Sequence, residues 1–468
     1  MTSDDRIRVR LACAARPGAS DLVAALARVP LGARPVLLDG PAGEPSRHAW
    51  LCVDPRATLD DARELADLER VLARYEAAGD RPSGPFAGGF VGALAYDLGP
   101  AGEGLALPAD PWGWPPILGG VYTDFVHVDR ERGTTEIVVA ADRGDAARRR
   151  ARIEAWLDAD AHGSAHGSAD ARPNATRASS ASSATSDARR RTSSAAFRAQ
   201  VEAIREAIAD GDYYQANLSH RYEAVSASGP RELFAKLRRA NPAPYMAHLE
   251  FDGGAICSSS PELLFDFDGR VATSRPIKGT CPRDADPERD AQARAALLAS
   301  AKDRAELAMI VDLVRNDLGR VAATGGVEVP ELAGLESFAH VHHLVATVRA
   351  RVRRGCDAFD LLAALFPGGS ITGAPKVASM RAIAALEGEG RGPFTGSLGW
   401  IGFDGAARFN ILIRTLLTRP RADGRHDVSF RVGGGITHRS DPAAEDDETL
   451  AKAAGLLAAL EAEEAAPR

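Results

Sequence analysis

The chain has 468 residues, 45% hydrophobic and 26% charged, and its 57 basic and 64 acidic side chains leave a formal charge of −7. That length suits two or three average domains or one large enzyme. The mild acidity argues against nucleic-acid binding through a broad basic surface, and no apolar run is long enough to span a membrane.

Strand-like runs recur early, at 34–38, 49–53, 88–96, 120–128 and 135–140, with helical stretches at 20–28 and 59–77 between them. Residues 158–194 break the pattern. They mix Ala, Ser, Gly, His, Asp and Arg with almost no large apolar side chain, and such a segment cannot offset its ordering entropy by burial. A disordered, low-complexity insertion is expected there, between an N-terminal segment (1–157) and a C-terminal one (195–468). It is no evidence that the two fold apart.

Beyond it, Phe197, Val201, Ile204 and Ile208 fall on one face of a helix over 194–209 that ends at Gly211. Strands are expected at 213–224, 246–251, 255–259 and 262–267, then a long helix over 288–318. Further strands follow at 397–403, 407–417 and 428–432, with a last helix over 441–460. Strands and helices intermix throughout, so the class is α/β or α+β with a large sheet. The five cysteines lack CxxC spacing, which argues against a zinc site or a disulfide framework. No signal peptide is visible, and the cytoplasm is the expected compartment.

The most informative run is Pro276-Ile277-Lys278-Gly279-Thr280. A lysine between an apolar residue and a glycine, where strand passes into turn, can lose hydration and offer a neutral amine as nucleophile. Glu262, behind Pro261 in a second apolar run, is a candidate acid. From these residues alone, a solvated turn lysine and a surface glutamate beside a strand are the favoured reading. Asp303 and Glu306 share one face of the 288–318 helix, and Glu445 and Glu448 share one face of the last helix. Two such pairs, with oxygen donors only, would suit Mg2+. The turn from Ser370 through Thr372 to Lys376 and the run Gly433-Gly434-Gly435 could bring backbone N–H groups to an anion, or could be ordinary turns. Arg414, set among apolar neighbours, needs an anionic partner, either a ligand carboxylate or a structural Asp or Glu. His343 reads as a core histidine, and Gln215 as a hydrogen-bonding residue of strand or site.

Taken together, 276–280, 260–264, 309–317, 370–376, 433–436 and 440–452 resemble, in order, the motifs of the chorismate-utilising enzymes. The resemblance covers roughly 197–460. It extends more weakly to Val36-Leu37-Leu38-Asp39 and Arg47-His48-Ala49-Trp50. It implies an α+β fold of large antiparallel sheets packed as a sandwich with flanking helices. Within the family, the lysine at 278 resembles the aminodeoxychorismate-forming members, whereas anthranilate synthase large subunits carry alanine there. It implies that Lys278 attacks C2 of chorismate, Glu262 protonates the departing C4 hydroxyl, and ammonia enters at C4. Mg2+ would be held by Glu306 and Glu448, supported by Asp303 and Glu445. Thr372, Arg414, Gly433, Gly434 and Gly435 would hold the substrate carboxylates, with Gln215, Thr280, His343 and Lys452 around the substrate. Gln215 replaces a water-activating lysine of isochorismate synthases. No GxCxG elbow is present, so a separate glutaminase (glutamine amidotransferase) subunit is the implied source of ammonia. A tryptophan bound in the N-terminal part is a further implied ligand. The alternatives are an anthranilate synthase component and a non-catalytic chorismate- or tryptophan-binding subunit. His438-Arg439 and Asp447 depart from the family pattern.

Overall fold

Each of two large sheets joins a block of strands from the first part of the sequence to a block from the second. The structure is a computed structural model that describes residues 6–41, 46–99, 103–158, 188–338 and 341–461. Most of the 158–194 insertion therefore lies outside the described residues. Among those described, one sheet has 13 strands and the other 10. Pairing is antiparallel except between Ile7–Pro17 and Tyr75–Gly79. In the larger sheet Val36–Asp39 lies against Tyr245–Phe251, with Leu37 opposite His248. In the smaller one Gly89–Leu94 lies against Ser397–Gly402, with Val91 opposite Trp400.

The sheets pack face to face. Trp50, Phe125 and Leu249 of the larger sheet share a core with Val91, Leu398 and Trp400 of the smaller. Phe86 joins them, its ring 5.3 Å from that of Trp400. Helices cover the outer faces. Leu26, Trp156, Phe234 and Leu456 pack on the larger sheet, and Leu307, Ile310 and Leu361 on the smaller. Central strands are thus covered on both sides, and every residue of Gly89–Leu94 and Ser397–Gly402 is buried. This is the expected sandwich with flanking helices. No helix among the described residues is long and apolar enough to cross a membrane.

Three expected elements divide. The long helix is two, Pro287–Ala299 and Ala301–Gly319. Ser300 closes the first and caps the second, its hydroxyl accepting the Asp303 N–H at 3.2 Å. The Ser300-x-x-Asp303 spacing is an N-terminal signal inside an otherwise continuous pattern. The 407–417 run is two strands, Ala407–Asn410 in the smaller sheet and Thr415–Pro420 in the larger. The chain changes sheets through residues 411–414, where Arg414 has φ +52°. The 120–128 run divides in the same way at Thr123. The 59–77 helix shrinks to Leu65–Leu72, and Tyr75–Gly79 is a strand.

Candidate active site

A cavity of about 600 Å³ opens beside the strands Ile277–Pro282 and His426–Ile436 and the helices Ala301–Gly319 and Pro442–Glu461. Lys278 enters it from a bulge. Ile277 pairs with Val345 and Thr280 with His343, so the Lys278 strand carries one extra residue between those pairs. Bulges re-aim side chains, and Gly279 supplies the backbone for this one at φ +82°. A Cβ on Gly279 would lie 3.0 Å from Asp303 Cβ. The glycine thus serves both the bulge and the close approach of the helix.

Opposite the bulge, Gly435 leaves room for two side chains. A Cβ there would lie 3.0 Å from Lys278 Nζ and 2.9 Å from Gln215 Nε2. Gln215 is fully buried, and both its amide atoms lack a hydrogen-bond partner among the described residues. It stands behind the cavity surface rather than on it. Thr280 and His343 face each other, Oγ1 to Nδ1 at 2.7 Å. Burial, reinforced by the Arg414 charge, lowers the His343 pKa to about 3, so this ring is neutral near pH 7.

Glu262 precedes the strand Leu263–Phe267 and is 5% exposed. Burial pushes its pKa up to about 7; the nearby Ser370 hydroxyl, the Lys278 charge and the Ile277 N–H offset this only in part. A carboxyl with that pKa can hold a proton at neutral pH and release it, as a general acid must. An unfolded glutamate loses its proton near 4.5. The group therefore stabilises the fold fully below that pH, and the contribution is lost as pH rises through about 7.

Two helices bring the four acidic residues to the cavity wall. Three lysines stand among them. Lys302 lies 3.9 Å from Glu306, and Lys452 lies 2.8 Å from Glu448 and donates to the Gly433 carbonyl at 2.8 Å. Glu445 is raised by burial, with the Glu448 charge adding to it. Burial also raises Glu448, but Lys452, Lys278 and Lys302 outweigh it and the net shift is downward. Gly434 packs between the pair: its Cβ position is 3.3 Å from Glu445 Oε2 and 3.9 Å from Glu448 Oε1. The Asp303 carboxylate already accepts the Ser300 hydroxyl in the helix cap. Among the described residues no three acidic, histidine or cysteine side chains converge on one metal position. The donor set is an open pair of pairs, not a cage.

Arg414 lines the cavity. Burial alone shifts its pKa, downward, with no carboxylate opposing it among the described residues. Of the two partners its setting allowed, the structural acid is absent there. Thr372 does not reach the cavity surface: its hydroxyl donates to the Gly368 carbonyl at 2.9 Å. Ser370 and Ile371 of the same turn line the wall instead. The helix that follows opens on Lys376, which is buried against Asp317 at 3.0 Å and faces no open anion site. Asn217, Thr395 and Lys302 also line the cavity and were not singled out from the sequence. Of these only Lys302 had a visible signal, its place beside the Asp303–Glu306 pair. The N-terminal motif residues Leu38, Asp39, His48 and Trp50 line a separate cavity of about 40 Å³ between the sheets.

A large mixed cavity with a bulge-mounted lysine, a buried acid and an unpaired arginine suits a small polyanionic substrate. Residues 34–458 match the family model of the chorismate binding enzymes, and the chain belongs to that family. Aminodeoxychorismate synthase component 1 of Klebsiella aerogenes is 40% identical over 435 residues, which is 89% of this chain and 91% of that one. Anthranilate synthase component 1 1 of Haloarcula marismortui is 46% identical over 265 residues, but these are 57% of this chain and 53% of its own. The chain thus spans about half the length of that relative. The crystal structure of anthranilate synthase component I from Streptococcus pneumoniae TIGR4 superposes with a TM-score of 0.69 at 25% identity, over 96% of this chain and 92% of that one.

Proposed function

We propose that this chain is the chorismate-converting component of an aminodeoxychorismate synthase. The observation that carries the reading is Lys278, aimed from its bulge into the cavity it shares with the buried Glu262. In the first step the neutral Lys278 amine bonds to C2 of chorismate. The two conjugated ring double bonds shift along the ring, the C4–oxygen bond breaks, and Glu262 gives the departing hydroxyl its proton, so water leaves. In the second step ammonia adds at C4, both double bonds shift back, the lysine leaves as the neutral amine, and the proton shed by the new C4 nitrogen returns to Glu262. The sum is chorismate plus ammonia giving 4-amino-4-deoxychorismate plus water. Neutral His343 and Thr280 border the substrate without adding charge, and Gln215 keeps a neutral amide beside the lysine.

Arg414 would take a substrate carboxylate as the partner it lacks. Losing one charge-assisted hydrogen bond costs about 1.5–3 kcal/mol. Arg414→Gln is therefore expected to raise KM for chorismate by about tenfold to a hundredfold, with a smaller effect on kcat. An unchanged KM would remove Arg414 from the substrate site.

Mg2+ fits the carboxylate set because it is commonly held by one or two protein carboxylates and keeps waters and substrate oxygens as its other ligands. Glu306 and Glu448 would hold it, with Glu445 and Asp303 supporting. When bound it supplies positive charge to the substrate's ring carboxylate. Glu448→Ala is expected to move the Mg2+ titration of activity to at least about tenfold higher concentration. An unmoved titration takes Glu448 out of the metal site.

Ammonia would be delivered by a separate glutaminase subunit in the cytoplasm, and the product would feed p-aminobenzoate and folate synthesis. The name component 1 carried by the Klebsiella relative supports a two-component enzyme. The second reading, anthranilate synthesis, is favoured by the higher identity to the Haloarcula relative over the shorter match. Incubation with chorismate, Mg2+ and ammonium at mildly alkaline pH, followed by mass spectrometry, separates the two. A product retaining its pyruvyl side chain supports the proposal; anthranilate with free pyruvate overturns it.

A further inference from the structure

Arg391 lies one layer behind the cavity, and the reaction set out above does not use it. Its side chain is 1% exposed, as is that of its partner Glu387, the last residue of the helix Lys376–Glu387. A guanidinium carries five N–H groups, and all five are engaged. Nε donates to Glu387 Oε2 at 3.0 Å and Nη2 to Glu387 Oε1 at 2.7 Å. Nη2 also donates to the Asn217 carbonyl at 2.6 Å. Nη1 donates to the Ile371 carbonyl at 3.0 Å and to Thr395 Oγ1 at 3.2 Å. Asn217, Ile371 and Thr395 come from three separate segments, and all three line the cavity.

Thr395 is the informative contact. It is a buried β-branched residue at φ +60°, a conformation such residues rarely adopt. Strain of this kind persists where the surroundings over-determine it, commonly at functional sites. The Thr395 N–H donates to the Leu412 carbonyl at 2.7 Å, and the Leu412 N–H to the Gly396 carbonyl at 2.8 Å. Leu412 belongs to the crossover that carries Arg414, itself at φ +52°. The same crossover reaches the acid, since the Ile411 N–H donates to the Glu262 carbonyl at 3.0 Å. A continuous set of hydrogen bonds therefore runs from Arg391 through Thr395 to the segment that presents Arg414.

Charge neutralisation alone does not explain Arg391. Glu387 has a second cation in Arg431, at 2.8 Å, and also accepts the Ser219 N–H and hydroxyl at 2.8 and 2.7 Å. What Arg391 adds is a planar fork that reaches acceptors on several segments at once. A lysine keeps the charge but not the fork.

We propose that Arg391, oriented by Glu387, is a positioning residue that holds Thr395 and the 411–414 crossover in the form that presents Arg414 to the substrate carboxylate. The inference rests on the reading of Arg414 as a chorismate contact.

The test is a double-mutant cycle on chorismate affinity, which needs no turnover. The Kd for chorismate in the presence of Mg2+ is measured by calorimetry for wild type, Arg391→Lys, Arg414→Lys and the double variant, with KM and kcat alongside and thermal melts as a control for folding. Arg391→Lys is expected to weaken binding by about tenfold in the wild-type background and by less than about twofold once Arg414 is changed. Equal effects in both backgrounds, or no effect of Arg391→Lys on affinity, would overturn the proposal. Should Arg391→Lys fail to fold, Thr395→Val carries the same cycle, because it keeps the shape and removes the hydroxyl that Arg391 holds. If wild type binds no chorismate, the functional reading falls and this inference with it. If wild type binds chorismate and the effects are additive, only this inference falls.

Discussion

Lys278→Ala protein mixed with chorismate is expected to keep its unmodified mass, whereas wild type starved of ammonia accumulates an adduct on one peptide, that of residue 278. The bulge at 277–280 directs this side chain towards Gly435 and Gln215. No other lysine shares that position: Lys302 and Lys452 are engaged with Glu306 and Glu448. Turnover with ammonium is expected to fall by about two orders of magnitude or more, since the barrier then has to be crossed without the covalent step. What remains runs by direct addition of ammonia to chorismate. Lys278→Arg separates charge from nucleophilicity. It keeps a cation beside Glu262 and Glu448 but cannot present a neutral amine, so it too should form no adduct. Wild-type rates of aminodeoxychorismate formation in either variant would show that the nucleophile is misassigned.

Glu262→Gln is expected to lower kcat by about 10²–10⁴-fold, the usual contribution of a positioned general acid, with little change in KM. The substitution keeps shape and hydrogen bonding while removing the proton that the C4 oxygen receives. In wild type the acid is lost as pH rises past about 7, so log kcat should fall with unit slope above that pH. The Gln variant should lack this limb. If this alkaline limb survives in the Gln variant, another group supplies the proton.

Legibility followed the physics of each signal. Lys278, Glu262 and Arg414 stood out because a charged group set among apolar residues demands a reason, and all three line one cavity. The acidic pairs were readable from helical spacing, although the Ser300 cap that breaks their helix was hidden by continuous periodicity. Thr372 misled because a threonine in a glycine-rich turn satisfies a backbone carbonyl as readily as a ligand. The division at 411–414 was invisible because an apolar run is compatible with either sheet, and only tertiary pairing decides where the chain crosses. Asn217 and Thr395 carried no signal at all. Asn217 depends on a distant partner, the Ser370 carbonyl that accepts from its side chain, and Thr395 on a loop conformation set by Arg391 and Leu412. The pairing of early with late strands was equally absent from local pattern.

That joining of early to late strands has a cost during synthesis. Val36 must wait for Leu249 before the larger sheet can close on that side. At ribosomal rates of 5–20 residues per second, the intervening stretch of about 200 residues takes about 10–40 s to appear. Throughout that interval Val36–Asp39 is a bare apolar edge, open to pairing with the same strand on a neighbouring nascent chain. The yield of this protein in a cell should therefore depend on holdase chaperones and on translation speed more than on its final stability.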